Sequence, residues 1–83
     1  MIINSYLMAI YKGHIESMYN LATYYEEIKN YNEMKKYYIM AIDNSHLQSM
    51  YNLGDYYENI EQNYKLMEKY YLLAINKEYS IFL

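Results

Sequence analysis

The sequence predicts an all-α fold, a short α-solenoid of antiparallel helix pairs. Three observations carry that prediction. Ser17-Met18-Tyr19-Asn20-Leu21-Ala22 returns 32 residues later as Ser49-Met50-Tyr51-Asn52-Leu53-Gly54, and self-similarity at that period marks stacked two-helix repeats. Apolar residues recur at helical spacing, and no stretch alternates with period two. The chain has no proline, and its connections are short, as between antiparallel helical neighbours.

The echo is long. Residues 6 to 28 and 38 to 60 are identical at 14 of 23 positions. Past Ile60 the offset becomes 33, so Met34-Lys35-Lys36-Tyr37-Tyr38 aligns with Met67-Glu68-Lys69-Tyr70-Tyr71. One residue is therefore inserted between Ile60 and Tyr64. Insertions are tolerated in turns and not inside helices, so a turn is expected there.

Taken in order, residues 1–12 hold a partial helix of the second type in each pair, helix B, near Ser5 to Lys12. Residues 13–44 form repeat one. Its helix A is expected from about His14 to Glu27, with Met18, Leu21, Ala22, Tyr25 and Ile28 on one face and Gly13 as N-cap. Its helix B is expected from about Tyr31 to Asp43, capped by Asn30 and Glu33, with Met34, Tyr37, Tyr38, Ala41 and Ile42 buried. Residues 45–77 form repeat two. Ser45 and Gln48 read as a capping box ahead of Met50, Leu53, Gly54, Tyr57 and Ile60. Its helix B spans about Tyr64 to Lys77, with Met67, Tyr70, Tyr71, Ala74 and Ile75 as the buried stripe. Residues 78–83 open a third helix A. The whole is one domain of 83 residues.

Composition removes several function classes. With no cysteine there is no disulfide and no thiolate metal site. The net charge of −3 and the absence of arginine argue against nucleic acid, since bidentate phosphate or guanine readout is missing. No stretch approaches the roughly 18 apolar residues of a membrane span. The apolar start lacks the positive flank of a signal peptide, and residues 6 to 10 match an internal helix. An intracellular protein is expected. Tyrosine is abundant at 15 residues, which reads as core-forming aromatic material from A/T-rich codons rather than a ligand site. Gly inside a helix costs about 1 kcal/mol against Ala, so Gly54 needs a packing reason: close approach of helix B.

These residues resemble the tetratricopeptide superfamily. Its Trp-x2-Leu-Gly-x2-Tyr … Ala-x3-Phe pattern appears as Met50-x2-Leu53-Gly54-x2-Tyr57 … Met67-x3-Tyr71, and as Met18-x2-Leu21-Ala22-x2-Tyr25 … Met34-x3-Tyr38. Within it the closer resemblance is to the Sel-one-like repeat family, through Ser17, Leu21-Ala22, Tyr25, Tyr37-Tyr38 and Ala41, and through Ser49, Leu53-Gly54, Tyr57, Tyr70-Tyr71 and Ala74. The usual glycines between helices A and B are missing. The resemblance implies a right-handed solenoid whose concave face is lined by helix A. The residues facing it would be Glu16, Tyr19, Thr23 and Glu26, then Gln48, Tyr51, Asp55 and Glu58. Each set follows i, i+3, i+7, i+10 spacing and so forms one stripe on its helix. Acidic groups beside tyrosines suit a segment bearing Lys or Arg. The carboxylate clamp known in some family members is not supported, because neither stripe holds a lysine.

Other constellations read as structure. His14 and His46 recur in register at the start of helix A, which points to a helix-start role rather than a metal ligand. The two glycines are too far apart for a phosphate loop. Met18, Met34, Met50 and Met67 occupy repeat-core positions. The expected function is a protein–protein interaction module or scaffold with no chemistry of its own. It would take a protein or peptide, basic in character, with no cofactor, no metal, no nucleic acid and no membrane. The alternative is a fragment or self-associating unit of a longer array, joined head to tail.

Overall fold

The computed structural model describes residues 2–80, with side chains from residue 3. Five helices and no strand occur among the described residues: α1 (Ile2–Tyr11), α2 (Ile15–Glu27), α3 (Tyr31–Asp43), α4 (Leu47–Asn59) and α5 (Tyr64–Ser80). Contacts divide the chain into two compact units, residues 1–44 and 45–83. The first holds α1, α2 and α3, the second α4 and α5.

In the first unit α2 and α3 form an antiparallel hairpin. Met18, Leu21 and Ala22 of α2 and Met34, Tyr37, Tyr38 and Ala41 of α3 are buried between them. The Tyr25 and Tyr37 rings stack at 5.9 Å and 11°. α1 packs on α2. In the second unit α4 and α5 form the corresponding hairpin, burying Met50, Leu53, Tyr56, Tyr57, Tyr70 and Ala74. Tyr57 stacks on Tyr70 at 5.8 Å and 13°. The two hairpins thus share one internal geometry, down to a Lys36 ammonium 5.1 Å from the Tyr37 ring and a Lys69 ammonium 5.2 Å from Tyr70.

Helix ends explain where the sequence reading needs correction. α1 ends in a double reverse bond, His14 N–H to Ala9 C=O and Gly13 N–H to Ile10 C=O. That closure needs a left-handed residue just past the helix, and Gly13 supplies it at φ +84°. Gly13 is therefore a C-terminal turn residue, not the N-cap of α2. Ser45 holds the same place before α4 at φ +64°, so it is not the cap of α4 either. The caps are His14 and His46, whose side chains accept from Ser17 N–H and Ser49 N–H. α2 closes the same way through Lys29 at φ +60°, where the family resemblance led one to expect glycine. Asn30 caps α3 as expected. Asn63, 33 residues on, caps α5 by accepting from Leu66 N–H at 3.2 Å.

The inserted residue falls in the α4–α5 connection, closed by Asn63 N–H to Tyr57 C=O at 2.8 Å. Ile28 and Ile60 are not core: each is 55% exposed. Both sit at the C-cap, past the last full turn, so the helical stripe no longer aims them inward. Met67 is half-buried and Ile75 exposed, whereas their counterparts Met34 and Ile42 are buried and half-buried. α5 also runs unbroken past Lys77 to Ser80, so no third helix opens at residues 78–80. The remainder of that expected element, residues 81–83, lies outside the described residues.

Candidate partner-binding face

The face expected on helix A is built separately in each hairpin. On α2, Glu16 is exposed, while Tyr19, Thr23 and Glu26 are half-buried. The Tyr19 ring lies 6.1 Å from that of Tyr38, tilted by 46°. Thr23 Oγ1–H donates to the Asn20 carbonyl at 2.8 Å, one turn back. Glu26 Oε1 accepts from the Tyr38 hydroxyl at 2.6 Å. Tyr38 is itself wholly buried, so the carboxylate is fixed from below by a side chain that cannot swing away.

On α4, Gln48, Asp55 and Glu58 are exposed and Tyr51 is half-buried. Gln48 donates to Asn52 Oδ1 at 2.7 Å, and Asp55 Oδ1 accepts from Asn59 Nδ2 at 2.8 Å. Glu58 Oε1 accepts from the Tyr71 hydroxyl at 2.9 Å. The Tyr51 ring meets Tyr71 at 6.3 Å and 46°, and its hydroxyl donates to Glu78 Oε1. The Glu26–Tyr38–Tyr19 cluster is therefore repeated as Glu58–Tyr71–Tyr51.

The electrostatics follow from this geometry. Burial, then the hydrogen bond to Glu58 and its negative charge, push the Tyr71 hydroxyl up to about 12 from the usual 10.0. Tyr51 is raised first by its hydrogen bond to Glu78, then by burial and by that carboxylate's charge. Tyr25 is raised mainly by burial, with Glu33 adding to it. Tyr51 and Tyr71 hold their protons and serve as donors to carboxylates.

The residues that sequence reasoning missed are the supports: Tyr38, Tyr71 and Glu78. Tyr38 and Tyr71 were legible as a repeated pair, but only as core. What gave no signal is the second role of each, its hydroxyl reaching Glu26 or Glu58 while its ring is buried. Glu78 has no repeat counterpart of its kind.

Among the described residues no group of three His, Asp or Glu side chains is placed to hold a metal ion, and no pocket opens. No helix of the described residues is long and apolar enough to cross a membrane. His14 and His46 are spent locally: each Nδ1 lies at 2.6 or 2.8 Å from the hydroxyl of the buried serine three residues on. No family model, curated protein or solved structure matches the chain.

Proposed function

We propose that this chain is a protein-interaction module, a short right-handed solenoid of Sel-one-like hairpins in which the helix-A face of each hairpin takes a basic segment. One observation carries the reading. In both hairpins a carboxylate of helix A is held in the same pose by a tyrosine hydroxyl from helix B: Glu26 by Tyr38 and Glu58 by Tyr71. A carboxylate fixed in advance loses less side-chain freedom when it meets a partner. Each keeps its second oxygen for a charge-assisted bond from Lys or Arg. Tyr19 and Tyr51 stand on the same stripes, half-buried, and offer ring surface for the alkyl part of such a side chain. The reading assigns no reaction to the chain.

The test is an array of extended peptides carrying Lys and Arg at varied spacing, with binding followed by NMR shift changes. Saturable shifts on α2 and α4 are expected, weakening several-fold in Glu26→Gln and Glu58→Gln and fading with added salt. Tyr38→Phe and Tyr71→Phe leave the carboxylates in place but release them, and should weaken binding without removing it. An array with no saturable member, or one that binds the Gln variants equally well, overturns the proposal.

A further inference from the structure

The second hairpin carries a bond for which the first has no matching residue. α5 is 17 residues long against 13 in α3. Its added turn brings Glu78 level with Tyr51 of α4, and the Tyr51 hydroxyl donates to Glu78 Oε1. Two turns away the direction reverses, and the Tyr71 hydroxyl of α5 donates to Glu58 Oε1 of α4. Seven residues separate Tyr51 from Glu58 on α4, and seven separate Tyr71 from Glu78 on α5. The two bonds are therefore the ends of a rectangle across antiparallel helices. At 1.5 Å of rise per residue its two carboxylates lie about 10 Å apart along the hairpin. Between them stand the half-buried rings of Tyr51 and Tyr71, 6.3 Å apart and tilted by 46°. In the first repeat the residue aligned with Glu78 is Ser45, in the turn after α3, which carries no charge.

We propose that the helix-A face of the second hairpin selects a polyproline II segment with two basic residues three positions apart. This rests on the basic-segment reading above and specifies its occupant. Spacing makes the choice. Polyproline II completes a turn in three residues and advances about 9 Å, so side chains at i and i+3 share one face at that separation. A β-strand places its same-face side chains about 7 or 13 Å apart, short of the carboxylates or beyond them. Rings on a surface are also what polyproline II segments dock on. One cation meets Glu58 and the other Glu78, each at the oxygen that its tyrosine does not use. The alkyl stems lie over the two rings. Both carboxylates are held by phenols beforehand, so less freedom is lost when the segment arrives. Glu78 is thus a specificity residue, set in place by the length of α5 and by Tyr51.

The probes are proline-rich peptides of one composition, with two lysines placed one, three or five positions apart. Each is titrated into the full chain and followed by NMR shifts on α4 and α5. The spacing of three should bind about threefold or more tightly than the others. Glu78→Gln can still accept the Tyr51 hydroxyl but carries no charge. It should erase that preference and leave shifts on α2 as they were. Equal affinity at all three spacings, or a preference that survives Glu78→Gln, overturns the proposal. So does tighter binding by a linear diamine, or by a helical peptide with lysines seven positions apart, since the occupant is then not such a segment. A peptide with one lysine, read on α2 and compared with Glu26→Gln, tests the broader reading by itself. Saturation there without a spacing preference on α4 and α5 removes only the present inference, and no saturation by any peptide removes both.

Discussion

A methyl group on Gly54 would lie 2.6 Å from both Cδ1 and Cε1 of Tyr71. The ring has moved into the space a side chain would fill. The corresponding residue of the first hairpin is Ala22, buried along with Tyr38, so there the slot holds a methyl and the ring makes room. Gly54→Ala should gain about 1 kcal/mol of helix propensity and lose about 1–3 kcal/mol to overpacking, for a net loss in urea unfolding. In a Tyr71→Ala background the clash is gone and the same substitution should stabilise. If the two effects simply add, the ring is not what reserves the space.

Gly13 is kept for the opposite reason. Nothing lies within 4 Å of a Cβ built there, but its φ is +84°. Gly13→Ala should cost about 1–2 kcal/mol through conformation alone. Lys29 at φ +60° and Ser45 at φ +64° carry that same strain in the native chain. Lys29→Gly should therefore raise the thermal midpoint, and Gly13→Ala should lower it.

His46 accepts the Ser49 N–H at 3.3 Å and so satisfies an open helix end. His46→Ala should cost about 1 kcal/mol, within the 0.5–2 kcal/mol span of lost caps. His46→Asn, which supplies an acceptor oxygen, should recover most of it. Chemical denaturation of the three proteins decides the matter, and an Ala variant as stable as the native chain would remove the cap role. His14, at 3.2 Å from Ser17 N–H, should behave alike.

The hairpins were legible because the aligned leucines do the same job in both copies. Leu21 and Leu53 align, share a helical face, and are both wholly buried. The turns were harder to read, because Ser45 three residues before Gln48 has the letters of a capping box yet lies in the left-handed turn that ends α3. A helix end can be shifted by one residue without changing the apolar pattern, and only backbone angles separate the two choices. Ile28 and Ile60 misled for a related reason: the spacing continues past the point where the helix stops. The stripe Glu16, Tyr19, Thr23, Glu26 was visible as spacing. The bond from Tyr38 to Glu26 was not, because it crosses between helices and depends on how far they are apart.

Leu21 and Leu53 also set the scale of the two cores. Each is wholly buried, and a buried leucine cut to alanine costs about 2–5 kcal/mol with its cavity. Small domains have only about 5–15 kcal/mol to lose. Leu21→Ala and Leu53→Ala should each lower the unfolding midpoint sharply, far more than Ile28→Ala or Ile60→Ala at the exposed caps. Equal losses at the four positions would mean that burial does not rank these side chains.

Alkaline pH should loosen the second hairpin through Tyr71. Its hydroxyl titrates near 12 in the folded chain, against 10.0 for an ordinary tyrosine. The folded state therefore holds this proton more tightly than the unfolded state does. Below pH 10 both states are protonated and the contribution is whole. Between pH 10 and about 12 the unfolded chain loses the proton first, so stability falls across that window. Tyr25 and Tyr51 are raised as well and add to the same trend. Tyr71→Phe cannot ionise and should flatten part of the decline in a series of urea unfolding curves. Glu58→Gln should bring the Tyr71 transition down, because it removes the carboxylate that accepts the proton and opposes the tyrosinate. Residue-resolved NMR of the ring protons would show it, and a Tyr71 transition unmoved by Glu58→Gln would leave burial and the charge of Asp55 as the causes.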